Sequence, residues 1–218
     1  MDFTLNAVEA RVLGVLIEKE RTTPEYYPLS LNALTAACNQ KSSRDPVMNL
    51  SDTEVMNAIE TLRNKKLAWQ LSTAGGRVPK FEHNMPALFS FSAAEISIIC
   101  VLLLRGAQTP GEIRNHCDRL HSFPSIDEVE KTLRQLTEME GGPFVKELPK
   151  QPGRKENRYV QLFTGEPDLT IYESGAAVTR IESPGEDRIT KIEREIAEMR
   201  QMLMGLQEEF EKFKKMLE

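Results

Sequence analysis

The sequence has few of the features that mark secreted, disulfide-bonded or membrane-spanning proteins. Its 218 residues include three cysteines, Cys38, Cys100 and Cys117, which form no Cys-x-x-Cys pair. An odd number of scattered cysteines excludes a disulfide framework and favours a reducing, cytoplasmic location. No basic, apolar secretory leader is visible before Asn6. The longest nearly apolar run, residues 96–104, is far shorter than the ~20 residues of a membrane span and therefore predicts a buried core helix.

Sequence motifs of common enzymes are also missing. The chain contains no G-x-S-x-G, H-E-x-x-H or G-x-G-x-x-G, and residues 109–112 (TPGE) predict a helix start rather than a phosphate loop. His116, Cys117 and His121 form a short cluster of the kind that binds zinc, but a fourth ligand at suitable spacing is missing. Cys117 also repeats Cys38 within the chain, which favours a packed core thiol. The sequence therefore predicts a non-enzymatic protein without metal or cofactor.

The net charge of −5 is confined to one end of the chain. Residues 1–88 and residues 89–164 each carry 10 Lys and Arg against 10 Asp and Glu. The remaining 54 residues carry 8 against 13, which accounts for the whole imbalance. Because a dedicated nucleic-acid domain usually has a net basic balance, the neutral body counts against DNA binding.

An internal repeat is the most informative feature present. Aligned pairs of segments are residues 5–16 with 91–102, 30–39 with 109–118, 50–62 with 124–136, and 69–81 with 144–159. In each copy, apolar residues at helical spacing predict three helices, and two short apolar runs around a basic glycine turn predict a hairpin. The third helix opens with a capping box in both copies, Ser51 with Glu54 and Ser125 with Glu128. Three helices and a two-stranded wing are typical of a winged-helix domain.

The predicted fold class is therefore mainly α with small β wings (α+β), as two winged-helix domains in tandem plus a C-terminal coiled-coil helix. The expected parts are winged-helix domain 1 at residues 1–88, winged-helix domain 2 at 89–166, a flexible linker at 167–187 and the coiled-coil helix at 188–218. The linker prediction depends on the acidic, Ser-, Gly- and Pro-containing segment before the last helix.

Long segments of the two copies resemble the YceH-like family of uncharacterised bacterial proteins. The segments that carry the resemblance are EARVLGVLIEKERTTPEYYPLSLNALTAACNQKSSRDPVMNLS, LLLRGAQTPGEIR and GPFVKELPKQPGRKENRYVQLFTGE, all between Leu5 and Glu166. The resemblance implies a tandem winged-helix fold. It implies no reaction, and it transfers no catalytic or binding residue to this chain.

The end of the chain has a heptad pattern. Apolar residues alternate in steps of three and four at Ile189, Ile192, Ile196, Met199, Leu203, Leu206, Phe210, Phe213 and Leu217. A seam of this length predicts a coiled coil and hence a homodimer. One amphipathic helix folded back on its own domain is the alternative. Opposite charges across the seam slightly favour a parallel pair, and the orientation stays open.

The segment between the second and third predicted helices, residues 39–50, is placed as the turn of a helix-turn-helix. The third helices open on acids, which phosphates repel, so these helices are not expected to read bases. Cations on the turn and wings are the expected phosphate contacts: Lys41, Arg44, Arg77, Lys80, Lys150, Arg154, Lys155 and Arg158. A solvated charged hairpin is the alternative for the wings. Within the turn, Val47, Met48 and Leu50 are expected to pack into the core.

Two functional hypotheses follow from these observations. The first is a DNA-associated, transcription-regulator-like protein that grips phosphates through its wings and basic turn without reading sequence. The second is a protein–protein interaction scaffold whose neutral winged helices bind an unknown partner protein and no DNA. Neither hypothesis involves a membrane. They differ in salt dependence, because phosphate binding weakens steeply with salt and an apolar protein interface does not.

Overall fold

Two successive sets of three helices and an antiparallel hairpin make up the described part of the chain. The computed structural model describes residues 3–71, 78–150 and 156–169. The first set contains α1 (Ala7–Thr22), β1 (Leu29–Ser30), α2 (Leu31–Cys38), α3 (Asp52–Asn64), β2 (Ala68–Leu71) and β3 (Lys80–His83). After the short α4 (Met85–Leu88), the second contains α5 (Ala93–Arg105), α6 (Pro110–Cys117), α7 (Ile126–Glu138), β4 (Val145–Glu147) and β5 (Tyr159–Gln161). The element order predicted from the repeat, and a mixed α class with small antiparallel sheets, are confirmed.

Side-chain caps explain where most of these helices begin. The predicted box at Ser51 is confirmed, because its backbone N–H donates to Glu54 and its hydroxyl accepts from the Glu54 N–H. Thr109 caps α6 with Pro110 at its first position, also as predicted. The box at Ser125 is only half present, since its hydroxyl accepts from the Glu128 N–H but no reciprocal bond forms.

The sheets are small and antiparallel. β3 lies between β1 and β2, with Phe81 opposite Leu29 and Gln70. β4 pairs with β5, and a bridge joins Tyr159 to Gln108 just before α6. Gln108 therefore takes the place in the second copy that β1 takes before α2 in the first.

The core is built around the two repeat-equivalent helices α1 and α5. Residues 9–17 of α1 and 95–104 of α5 are all buried, so the apolar run at 96–104 is the buried core helix that the sequence predicts. At their crossing the Cys100 thiol donates to the Gly14 carbonyl, 3.4 Å away. Gly14 and Cys100 occupy the same position in the repeat, so the two helices meet at equivalent residues.

One predicted core contact is wrong. Val47 is 56% exposed, whereas Met48 and Leu50 are half-buried and Leu50 packs against the core. The hydrogen bonds that close the turn, described below, hold the backbone around Val47 at the surface. A valine side chain left in water costs less than breaking those buried polar contacts.

The predicted wing cations Arg77, Arg154 and Lys155, most of the predicted linker and the whole predicted coiled-coil helix lie outside the described residues. The described parts of both copies belong to one compact unit, and a domain boundary at residue 88 stays a prediction. Among residues 3–71, 78–150 and 156–169, no helix has the length and apolar character needed to cross a membrane.

Candidate functional site

The turn between α2 and α3, residues 39–50, has a defined conformation because polar side chains close it. The Asn39 side chain accepts from the Leu50 N–H at 2.7 Å and donates to the Leu50 carbonyl at 2.8 Å, which brings the ends together. Arg11 of α1 is 1% exposed and donates to the carbonyls of Cys38 and Pro46 at 3.1 and 2.6 Å. The turn is therefore held from both its ends and its middle.

Arg44 is a second internal clamp and is not the surface cation predicted. Its side chain is fully buried, and its guanidinium donates to both Glu18 carboxylate oxygens, at 3.0 and 2.6 Å. It also donates to the carbonyls of Ala37 and Ser43 and to the side chain of Gln40. With its donors used in this way, Arg44 leaves the set of phosphate contacts and becomes a positioning residue for the turn.

Two buried guanidinium groups next to each other create a positive field under the turn. Burial, with the charge of Arg44 as the next cause, lowers the pKa of Arg11. Among the described residues, Glu18 is the only carboxylate that pairs directly with these two arginines. Most of the hydrogen bonds that stabilise the two buried guanidinium charges go to backbone carbonyls. A hydrogen bond to a neutral carbonyl stabilises a positive charge less than one to a carboxylate does. The charge of Asp45, in the turn itself, also acts on Arg11 and raises its pKa.

The outer face of the turn presents Lys41, Ser42 and Ser43 to solvent. These residues line one side of a cleft of about 530 Å³. The end of α1, the end of α5 and the segment after α6 form its other sides. Lys19, Arg105 and Arg119 face the same cleft, so four cations from four separate segments meet there.

Of the predicted wing cations, Lys80 and Lys150 are exposed. No acid among the described residues lies within ion-pair distance of either, and the same holds for Lys41. Arg158 is half-buried and donates to the Ala107 carbonyl at 2.6 Å and to Glu112 at 2.9 Å, so it joins β5 to the start of α6. Arg158 is thus structurally engaged, whereas Lys41, Lys80 and Lys150 are exposed and pair with no acid in the described part of the chain.

The third helix of each copy presents acids to solvent over its first turns. Asp52 and Glu54 of α3 and Asp127 and Glu128 of α7 are exposed, in agreement with the sequence pattern. Exposed cations occur only later along these helices, at Arg63, Lys131 and Arg134. The ends that a base-reading helix would direct into the groove are therefore negative.

The histidine and cysteine cluster at the end of α6 has ordinary structural partners. The ring nitrogens of His116 lie 3.0 Å from the Gln108 side-chain oxygen and 3.3 Å from Arg105. Cys117 is buried, which raises its pKa to about 12 and keeps it a thiol. In the described part of the chain, no group of three or more His, Cys, Asp or Glu side chains is arranged to hold a metal ion.

Lys19, Arg105 and Arg119 are site residues that the sequence reasoning missed. Lys19 and Arg105 occupy the same position in the repeat, in the last turn of α1 and of α5. Cations are common there because they offset the negative end of the helix dipole. The shared position was a visible signal, but only the crossing of the two helices brings both side chains to one cleft.

The sequence is similar to bacterial proteins over most of its length. A family model described as "Protein of unknown function, DUF480" matches residues 5–154. A UPF0502 protein of Citrifermentans bemidjiense is 50% identical over 197 residues, which cover 90% of each chain. One of Geotalea daltonii is 54% identical over 175 residues, 80% of this chain and 79% of the relative. One of Geobacter sulfurreducens is 47% identical over the full length of both chains.

Proposed function

Because the chain belongs to the DUF480 family, whose description specifies no activity, we propose its function from its own geometry: a non-enzymatic, cytoplasmic tandem winged-helix protein that associates with nucleic acid through phosphates. The repeated order of three helices and a hairpin supports the winged-helix part. β1 and the bridge at Gln108, each beside the hairpin, add the short third strand that such domains often have.

The observation that carries the proposal is the presentation of Lys41 on a clamped turn. A cation held on a preorganised loop loses little conformational freedom when it meets a phosphate. Ser42 and Ser43 are exposed beside it and can donate to phosphate oxygens. Lys80 and Lys150 provide two further exposed cations. The acidic openings of α3 and α7 oppose insertion into a groove, so binding is non-specific in sequence.

Fluorescence anisotropy with a labelled random duplex, at about 50 and 200 mM salt, tests the proposal. The test variant combines Lys41→Ala, Lys80→Ala and Lys150→Ala. Arg63→Ala, Lys131→Ala and Arg134→Ala form the control, which removes the same charge from exposed positions on the third helices. We expect micromolar binding that collapses at the higher salt. In the test variant only, the salt slope should fall by about one for each lysine that no longer neutralises a phosphate.

Two results would contradict this assignment. Undetectable binding of the unaltered protein at the lower salt would remove the nucleic-acid function. A fall in affinity confined to the control variant would assign phosphate binding to the third helices and favour base reading instead.

A protein-binding scaffold is the second candidate, and the first hairpin favours it. Trp69 and Leu71 alternate along β2 and are exposed, as is Val78 before β3. Exposed aromatic and aliphatic side chains on an outer strand are typical of protein contacts. The rate at which a partner dissociates from this strand should change little between low and high salt. The variant Trp69→Ser with Leu71→Ser should no longer bind the partner.

We further propose that residues 188–218 form a coiled coil and make the protein a homodimer. Support comes from the heptad spacing of the nine apolar residues from Ile189 to Leu217. Light scattering at about 100 µM is expected to give twice the chain mass. Ile196→Asp with Leu203→Asp would return a monomer, and a monomeric unaltered protein would refute the dimer.

A further inference from the structure

The cleft beside the turn has the size of a small-molecule site. Its volume of about 530 Å³ lies within the range of ligand pockets, about 300–1,000 Å³. Val101 and Leu104, both nearly buried, contribute apolar surface to its wall, and Leu120 is half-buried there. A concave surface that combines apolar walls with a few charged groups is the usual form of such sites.

The charge of the cleft is strongly one-sided. Among the described residues, Lys19, Lys41, Arg105 and Arg119 line it against a single acid, Glu18. Both oxygens of that carboxylate accept hydrogen bonds from Arg44, which lies behind the cleft wall. Lys19 lies further from Glu18, at 3.7 Å. The lining acid is therefore already paired. Asp45, whose N–H donates to the Leu104 carbonyl, lies near enough for its charge to raise the pKa of Arg105, but it does not line the cleft.

The titration of nearby groups agrees with a positive field. Burial, followed by the charge of Arg44, lowers the pKa of Arg105. Burial, followed by the charge of Arg105, lowers the pKa of His116. An opposite charge nearby favours the charged form of a cation. An anion in this cleft would therefore be stabilised by the cations that line it.

Helix dipoles account for only part of this charge. α1, α5 and α6 end at the cleft, and Lys19 and Arg105 lie in last turns, where they offset the negative helix ends. Lys41 and Arg119 lie beyond the ends of α2 and α6, so their presence is not explained by the need to offset a helix dipole. Lys41 and Arg119 are the exposed cations of the cleft and therefore lie at its mouth. Lys19 and Arg105 are half-buried and lie deeper.

A duplex cannot use the whole of this site. The phosphates of a duplex lie on the outside of a wide cylinder, whose major groove alone spans about 12 Å. They can therefore contact the exposed cations at the mouth of the cleft but not the half-buried cations in its walls. A terminal phosphate or a pyrophosphate group on a small molecule is small enough to reach Lys19 and Arg105 inside the cleft. The planar guanidinium of arginine forms paired, charge-assisted hydrogen bonds that suit phosphate oxygens.

We propose that this cleft binds a small phosphate-bearing ligand, held by Arg105 and Arg119 with Lys19 and Lys41. The site goes beyond the proposed nucleic-acid association and does not depend on it. The apolar wall formed by Val101, Leu104 and Leu120 would contact the part of the ligand that carries the phosphate.

Equilibrium dialysis of the full chain against radiolabelled inorganic pyrophosphate, at fixed ionic strength, tests this directly. We expect saturable binding of one pyrophosphate per chain. Arg105→Gln with Arg119→Gln should weaken it at least about tenfold, because each removes a hydrogen bond to a charged group. Lys131→Gln with Arg134→Gln, which removes the same charge from α7, should change it less than about twofold.

If the double variant fails to fold, Arg119→Gln alone is measured instead. Arg119 is exposed, so its substitution should leave the fold intact, and it should weaken pyrophosphate binding severalfold. Absence of saturable binding, or an equal loss of affinity in the α7 control, would overturn the proposal. Random duplex DNA without terminal phosphates is then added as competitor. Because Lys41 at the mouth is also the proposed DNA contact, we expect the duplex to displace pyrophosphate only in part. Complete displacement by the duplex would assign the cleft to backbone phosphates and overturn the small-ligand site.

Discussion

Single buried side chains decide the conformation of the turn at residues 39–50. Arg11 of α1 donates to two carbonyls at the turn, and Arg44, within the turn, points inward and donates to Glu18. A buried charge is stable only when it is paired and hydrogen-bonded. The exposed residues of the turn, Lys41 to Ser43, therefore owe their fixed positions to cations that no ligand can reach.

Arg44→Ala is expected to lower the free energy of unfolding by about 3 kcal/mol or more, because it leaves Glu18 and the Ala37 carbonyl without their partner. Lys41→Ala, in the same turn but exposed, should change it by less than about 0.5 kcal/mol. Urea denaturation of both variants measures the difference. Equal stabilities would show that Arg44 does not clamp the turn.

The pair of Glu20 and His83 predicts a dependence of stability on pH. The hydrogen bond from buried His83, 3.0 Å away, lowers the pKa of Glu20 below 4.5. A lowered folded-state pKa stabilises the protein above the unfolded-state pKa, and this contribution is lost as the pH falls through the folded-state pKa. Glu20→Gln should therefore be less stable than the unaltered protein at neutral pH, with a difference that shrinks below about pH 4.5. Thermal melts from pH 3 to 7 check this, and a constant difference would contradict it.

At the scale of elements, the crossing of α1 and α5 explains why a glycine lies inside a helix. A Cβ on Gly14 would lie 2.9 Å from Leu104 Cδ2 and 3.1 Å from Leu103 Cβ, closer than carbon atoms pack. Glycine costs a helix interior about 1 kcal/mol relative to alanine. The close packing of α1 on α5, whose middle turns are buried on all sides, offsets this cost.

Gly14→Ala should destabilise the protein by about 1–3 kcal/mol, because the added methyl group pushes α1 from α5. Gly111→Ala in α6 is the matched control, since its Cβ would meet nothing closer than 3.9 Å and helix propensity alone predicts a gain of up to about 1 kcal/mol. Chemical denaturation compares the two. A stabilising Gly14→Ala would show that the helices separate without cost.

At the scale of the whole molecule, the two copies share one core. The packing of α1 on α5 joins the first helix of each copy, and both Leu34 and its repeat equivalent Ile113 belong to a single cluster of buried residues. Two copies that bury their main helices against each other cannot unfold independently without exposing both.

We therefore expect one cooperative unfolding transition for residues of both copies. Trp69, the only tryptophan, reports on the first copy by fluorescence. In a variant with Cys38→Ala and Cys100→Ala, labelling of the remaining buried thiol, Cys117, reports on the second. Their urea midpoints should coincide. Two separated midpoints would mean that the copies behave as independent domains.

The local elements were predictable from the sequence because their causes are local. Helical spacing of apolar residues, the cap at Ser51 and the proline at 110 each act within a few residues, and each is found in the structure as expected. The repeat also predicted matching burial, since Cys38 and Cys117 both end a helix and both are buried.

Which cations face solvent was decided only by the tertiary structure. Arg44 and Lys41 are three residues apart in one basic turn, yet one is clamped in the interior and the other lines a cleft. Lys19, Arg105 and Arg119 are far apart in sequence and meet because α1 crosses α5 beside α6. Burial and charge pairing depend on what long-range packing places next to a side chain. The sequence by itself therefore determined the repeated elements and their order, and the packing of one copy against the other determined the site.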